Sequence, residues 1–317
     1  LGDQAGAVNR NLHPRLQALE RQFARSPLEQ IFDPEFNSRQ IELWVKRDDL
    51  IHPVISGNKW RKLKFILNHA LFLQANCLVS MGGVYSNHLH ALAFVGKELG
   101  IKTIGLLRGE LPLQLNPTLL DLQEWEMELR SVARSDYRQL RNYKGHHSLP
   151  GLEPGQYWLP EGGAVDLALP GIAESIAEIT IGFDSLVLAC GTGATLAGLI
   201  AHAPRSCQLI GVAALKSANF LIQDVRQLLA AHGVVRDNWQ IAFEYHFGGF
   251  AKTKPVLLEF IREFHNQHGI ALEPVYTGKA MFAFYDLLRR GYFKPGQRVI
   301  MLHTGGLQGN RLTDSQL

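Results

Sequence analysis

DSLVLACGTGATLAGLIAHA, residues 184–203, is the most informative stretch of the chain. Its first seven residues form a short apolar run of the kind buried on both faces of a parallel sheet, a glycine-rich turn follows, and TLAGLIAHA continues with helical apolar spacing. A strand that passes through a tight turn directly into a helix is half of a βαβ unit. The alternation extends in both directions. IELWVKRD (41–48), Cys77 to Met81, IKTIGLL (101–107), MELRSVA (127–133), Tyr157 to Leu159, CQLIGVAAL (207–215) and RVIMLH (298–303) read as strands. Between them, GNKWRKLKFILNHALFL (57–73) places Leu63, Ile66, Leu67, Ala70 and Leu71 on one helical face, and a helix from about His88 to Leu99 is stopped by Gly100. Further helices are read at NPTLLDLQEW (116–125), about Pro170 to Ile179, and about 218–232, 253–268 and 278–291, whereas the polar, Gly/Pro-rich 135–156 reads as loop with at most a short helix. The pattern predicts an α/β protein of two doubly wound open-sheet domains, with the ligand where strands end in loops, in the crevice between the two blocks. The expected division is a larger domain from 1–58 and 165–317 and a smaller one from 59–164.

Composition narrows the function. With 46% hydrophobic and 19% charged residues over 317, the chain has the makings of a globular core rather than of disorder. Lys+Arg minus Asp+Glu is 32 − 29 = +3, and the basic residues are scattered, so no nucleic-acid partner is expected. No apolar run approaches the ~18 residues of a membrane-spanning helix, and LGDQAGAVNRNLHP (1–14) lacks the basic-then-apolar order of an export signal. Cys77, Cys190 and Cys207 show no CxxC spacing, so neither a disulfide framework nor a metal site is expected, and a reducing cytoplasm is the natural compartment.

Three segments carry chemistry. Gly191, Thr192, Gly193, Ala194 and Thr195 sit between a strand and a helix, where free backbone N–H groups and hydroxyls bind phosphate. The third glycine of a dinucleotide fingerprint would fall on Leu196, and no Lys-Ser or Lys-Thr follows as in a Walker A loop, so a small phosphorylated cofactor fits better than NAD or ATP; a plain tight turn is the structural alternative. Ser56-Gly57-Asn58-Lys59 opens an amphipathic helix, and a lysine at the positive end of the helix dipole is a candidate amine nucleophile, with a solvated surface lysine, like Lys62 or Lys64 nearby, as the alternative. In Ser80-Met81-Gly82-Gly83-Val84-Tyr85-Ser86-Asn87-His88-Leu89-His90, Ser86 or Asn87 is a ready helix N-cap whose neighbouring N–H groups suit a carboxylate. His88 and His90 do not share a helical face, which argues against a metal pair.

Together these segments resemble the pyridoxal 5'-phosphate (PLP) enzymes of the tryptophan synthase β-like fold, fold type II, and within it the 1-aminocyclopropane-1-carboxylate (ACC) deaminase and D-cysteine desulfhydrase family. KRDDL (46–50), GNKWRKL (57–63), GGVYSNH (82–88), PEGGA (160–164), GTGATLAG (191–198), PVYTGKA (274–280) and HTGG (303–306) follow that family's order over about residues 26 to 310. The resemblance implies PLP in the cleft between two domains, a small amino-acid substrate, no membrane or nucleic-acid partner, and a homodimer. It implies that Lys59 bonds covalently to PLP, that Asn87 lies beside the phenolic oxygen, that Ser86 serves the substrate carboxylate and reacting carbon, that Gly191 to Thr195 hold the phosphate, that Thr304 meets the pyridine nitrogen, and that Tyr276 faces the substrate with Asn87, His88 and Thr277. Thr277 and Thr304 stand where ACC deaminases typically carry Glu and Leu, which favours β-elimination from D-cysteine over cyclopropane opening. Phe250, in Gly248-Gly249-Phe250-Ala251, departs from a second tyrosine usual in the family, and His88 stands where ACC deaminases carry Gln. ACC deamination, another PLP lyase or racemase activity, and non-catalytic PLP binding are the alternatives.

Overall fold

Strand and helix alternate along most of the described chain, two successive helices preceding the last strand. A computed structural model describes residues 11–312; residues 1–10 of the stretch read above against an export signal lie outside the described residues. In chain order the elements are α1 (Pro14–Glu20), β1 (Leu28–Ile31), α2 (Pro34–Ser38), β2 (Glu42–Lys46), α3 (Asn58–Phe72), β3 (Cys77–Gly82), α4 (Asn87–Leu99), β4 (Lys102–Arg108), α5 (Pro117–Glu124), β5 (Glu128–Val132) and α6 (Arg134–Leu140). They continue with β6 (Gln156–Leu159), α7 (Leu169–Ala177), β7 (Ser185–Cys190), α8 (Ala194–His202), β8 (Gln208–Ala213), α9 (Phe220–Ala231), β9 (Trp239–Ala242), α10 (Pro255–His268), α11 (Thr277–Arg289) and β10 (Arg298–Leu302). Among the described residues no helix is long and apolar enough to cross a membrane.

The chain divides into one unit of Leu1–Ala24, His52–Ile55 and Lys59–Gly171 and another of Arg25–Ile51, Ser56–Asn58 and Ile172–Leu317. This differs from the sequence expectation, which kept residues 1–58 together and began the return at 165. The segment leading to Ala24 goes with the smaller unit because it is tied to α3: His13 N donates to Asn68 Oδ1 at 2.8 Å, Glu20 pairs with Lys64, and the Phe23 ring stacks on Trp60 at 4.0 Å. Gly171 goes with it because a Cβ there would lie 1.9 Å from the Arg61 carbonyl oxygen, a backbone approach only glycine permits.

The larger unit holds a six-stranded sheet in the order β1-β2-β10-β7-β8-β9, antiparallel only at the β1–β2 edge. β7 is buried at all six positions, which is why DSLVLAC carries no alternation. Inward residues Leu43, Val45, Val187, Val212 and Met301 pack with Met281, Phe284 and Leu288 of α11. In the smaller unit β5-β4-β3-β6 form a wholly parallel sheet, with Val79, Met81, Ile104, Tyr137 and Trp158 in one core cluster. β1 and β9 were not read from the sequence; both are edge strands of four residues, mostly half-buried, so neither carries a strong apolar signal.

Candidate active site

Because β2, β10 and β7 are parallel neighbours, the loops after them leave the same edge of the larger sheet. Three such loops are stitched together. Gly57 N donates to Asp48 O at 2.7 Å, Asn58 N donates to Thr304 O at 3.3 Å, and Asn58 Nδ2 donates to Thr195 Oγ1 at 2.9 Å. Asn58 and Thr195 are 7% and 5% exposed, so this last bond is shielded from water. The approach is possible because position 57 is glycine. Its φ is +68°, and a Cβ there would fall 1.9 Å from the Thr304 carbonyl oxygen. The neighbouring KRDDL run serves this edge as structure: Lys46 pairs with Glu178 at 2.6 Å, and Arg47 with Asp49 at 2.8 Å and Glu29 at 2.7 Å.

The Gly191–Thr195 loop leads into a helix start without a side-chain cap. Gly193, at φ +76°, is the N-cap of α8, and no side chain caps that helix, so its first N–H groups lack the usual side-chain acceptor. The glycine at 191 leaves room for Tyr276, whose Cε1 and hydroxyl would lie 3.2 and 3.5 Å from a Cβ at that position. Tyr276 is itself held by Glu273, a fully buried carboxylate that sequence reading missed. Glu273 accepts from Val275 N at 2.7 Å, Tyr276 N at 2.8 Å and Thr277 N at 2.6 Å. Burial raises its pKa, and these backbone donors act in the opposite direction. The Thr277 hydroxyl, expected beside a substrate, donates to Glu273 Oε1 at 3.2 Å and accepts from Glu273 N at 3.0 Å. Its role here is to fix the turn that presents Tyr276. The Phe250 ring meets Tyr276 edge-on, with centroids 6.0 Å apart. Thr304 is buried two residues beyond the end of β10.

In the smaller unit, Lys59 stands in the first turn of α3 and is half-buried, whereas Lys62 and Lys64 are 4% and 6% exposed. Neither neighbour is a solvated lysine: Lys62 donates to Gly162 O at 3.2 Å and Lys64 pairs with Glu20. Ser86 is the N-cap of α4, its Oγ accepting from Leu89 N at 3.2 Å, which leaves its hydroxyl proton to donate elsewhere. Asn87 begins the helix, half-buried. His90 bonds to Asp121 Oδ2 at 2.9 Å, so its ring serves a different partner from that of His88.

His88 is 3% exposed and its tautomer can be deduced. Ser80 Oγ donates its one proton to Leu159 O at 2.8 Å, so it accepts from His88 Nε2–H at 2.9 Å. Nδ1 is then a bare acceptor, and it is buried with no hydrogen-bond partner. Burial, reinforced by the Lys59 and Lys62 charges, lowers the pKa to about 3. An orphaned buried acceptor of this kind suits a ligand group that can donate a hydrogen bond.

The His88 ring also predicts a pH effect. Its folded pKa is depressed, so between pH ~6.5 and ~3 the unfolded chain binds a proton that the folded chain refuses, and stability falls as pH falls. His88→Gln should lower the acid-side slope of unfolding free energy by up to ~1.4 kcal/mol per pH unit, measured by urea unfolding from pH 7 to 4. An unchanged slope would show that His88 carries a proton in the folded chain.

The geometry can be set beside known proteins. A protein of Pyrococcus furiosus, provisionally named 1-aminocyclopropane-1-carboxylate deaminase, is 32% identical over 323 residues, covering 94% of this chain and 96% of the relative. The D-cysteine desulfhydrase of Salmonella typhi is 29% identical over 286 residues, covering 84% and 87%. A crystal structure of an ACC deaminase homologue superposes with a TM-score of 0.74 at 28% identity, over 96% of this chain and 98% of that one. The profile of the pyridoxal-phosphate dependent enzymes spans residues 20–305, from before β1 to the turn after β10, and so takes in every loop described above. This chain belongs to the pyridoxal-phosphate dependent enzyme family.

Proposed function

We propose that the protein is a PLP-dependent lyase of the D-cysteine desulfhydrase type, removing a β-substituent from a small amino acid to give a 2-oxo acid, ammonia and sulfide. The observation that carries the reading is the buried Asn58–Thr195 bond, which ties the residue preceding Lys59 to the anion-binding loop. In this reading Lys59 holds the cofactor through its amine, the first turn of α8 with Thr192 and Thr195 holds the phosphate, Asn87 serves the phenolic oxygen and Thr304 donates to the pyridine nitrogen. When bound, PLP supplies the electron sink that stabilises negative charge at the substrate α-carbon. Ser86 and the N–H groups at the start of α4 receive the substrate carboxylate. With PLP bound, the Lys59 amine would be the base positioned to remove the α-proton. Tyr276 assists departure of the β-substituent, and Glu273 keeps its backbone in register. Neutral His88 offers a hydrogen-bond acceptor and Phe250 an apolar wall. The reading extends to a homodimer, supported by family resemblance, and to a reducing cytoplasm, supported by three cysteines without CxxC spacing.

Thr277 and Thr304 favour a sulfur substrate, while the Pyrococcus relative's name favours ACC, which would yield 2-oxobutanoate and ammonia without sulfide. Incubating the holoenzyme with D-cysteine, ACC and D-serine, and scoring sulfide and 2-oxo acid, separates them. Sulfide from D-cysteine with the highest kcat/KM supports the proposal. Turnover of ACC alone transfers the assignment to deamination, and a spectrum unmoved by any amino acid points to cofactor binding without catalysis.

A further inference from the structure

Lys279 lies in the first turn of α11 and is 1% exposed. Its ammonium donates to Gly249 O at 2.9 Å, His246 O at 3.0 Å and Ala214 O at 3.3 Å. Among the described residues no carboxylate lies within ion-pair distance of it. Burial lowers its pKa to about 8, with the more distant Glu273 opposing. A buried ammonium ordinarily requires a carboxylate partner. Three neutral carbonyl oxygens, brought from the end of β8 and from two points of the 246–251 turn, are instead the donor set that proteins offer a bare alkali cation.

The turn gathers two of its carbonyl oxygens around the Lys279 ammonium. Phe247 (φ 52°), Gly248 (φ 106°), Gly249 (φ 129°) and Ala251 (φ 53°) all have positive φ, a backbone that is unfavourable for the two non-glycine residues. The carbonyls of His246 and Gly249 each accept one backbone N–H, from Gly249 and Lys252, and both also converge on the Lys279 ammonium, whose charge offsets the repulsion of carbonyl dipoles gathered at one point. The same turn carries Phe250, whose ring abuts Tyr276, three residues before Lys279. We propose that Lys279 is a tethered monovalent cation: its ammonium fills a carbonyl cage that locks the 246–251 turn onto α11, so the protein needs no free alkali ion, and removing the ammonium leaves a site for one.

The test uses the full chain in buffers whose only other cation is choline. Wild-type protein should show the same thermal midpoint in potassium chloride and choline chloride at equal ionic strength. Lys279→Ala should lower the midpoint, and K+ or NH4+ should restore about 3–6 °C of it with saturation, while Li+ and choline do not. Lys279→Met, whose stem keeps the cage filled, should be destabilised and unresponsive. If Lys279→Ala does not fold in choline, refolding from urea in potassium chloride against choline chloride reads the same property. Equal restoration by all salts, no loss in Lys279→Ala, refolding in neither salt, or a wild-type protein that needs K+ would each overturn the proposal.

Discussion

Lys59→Ala should abolish turnover and, in the same purified protein, remove the absorption band near ~420 nm expected of PLP bonded to a lysine. Both losses follow from one amine. It is the group proposed to hold the cofactor aldehyde and the group proposed to move the α-proton, and removing a positioned general base alone costs about 10²–10⁴-fold. The other lysines of α3 cannot substitute, because Lys62 is held on Gly162 O at 3.2 Å and Lys64 on Glu20. The phosphate contacts proposed for Thr192, Thr195 and the start of α8 do not involve Lys59, so the variant should still bind PLP, now reversibly, with the spectrum of the free aldehyde. A far-UV spectrum like that of wild type confirms that the fold survives. Persistence of the ~420 nm band would move the anchor to another lysine, and persistence of activity without the band would remove Lys59 from the chemistry.

What the sequence made legible was local, and what it hid was brought together by distant parts of the chain. The order strand, glycine turn, helix at 184–203 sufficed for β7, the loop and α8, since each is encoded within a few residues. The edge strands β1 and β9 escaped because LEQI and WQIA are short and mostly half-buried, so neither apolar alternation nor an unbroken apolar run appears. Glu273 is four residues before Thr277 and reads as an ordinary acid until the Pro274 turn folds it back over three backbone N–H groups. The resemblance gives Thr277 to the substrate, and in the fold the same turn takes up its hydroxyl. The tautomer of His88 depends on the Leu159 carbonyl, 79 residues from the serine that bonds it. No pattern at positions 80–90 could announce that.

Gly57→Ala should be among the most damaging single-methyl changes available. Two effects combine at this position and can be separated by controls. Gly233 shares the same φ of +68° but has no atom within 4 Å of an added Cβ, so Gly233→Ala measures the left-handed backbone cost alone, about 1 kcal/mol. Gly182 has neither a positive φ nor a neighbour within 4 Å, so Gly182→Ala should be close to neutral. At Gly57 the Cβ would sit 1.9 Å from Thr304 O, 2.2 Å from Thr304 C and 2.6 Å from Gly305 N, all backbone atoms that cannot rotate away. The chain must separate there, which breaks or stretches the bonds from Gly57 N to Asp48 O, Asn58 N to Thr304 O and Asn58 Nδ2 to Thr195 Oγ1. At roughly 0.5–1.5 kcal/mol each, with the strain added, the loss should reach about 3–5 kcal/mol. Urea unfolding of the three variants checks the order, and PLP titration should show Gly57→Ala binding cofactor more weakly, since the displaced segment carries Lys59 and releases Thr195. Equal stability of Gly57→Ala and Gly233→Ala would mean that the loops after β2 and β10 can part without cost, and the close approach of position 57 to Thr304 would then be no constraint on where Lys59 stands.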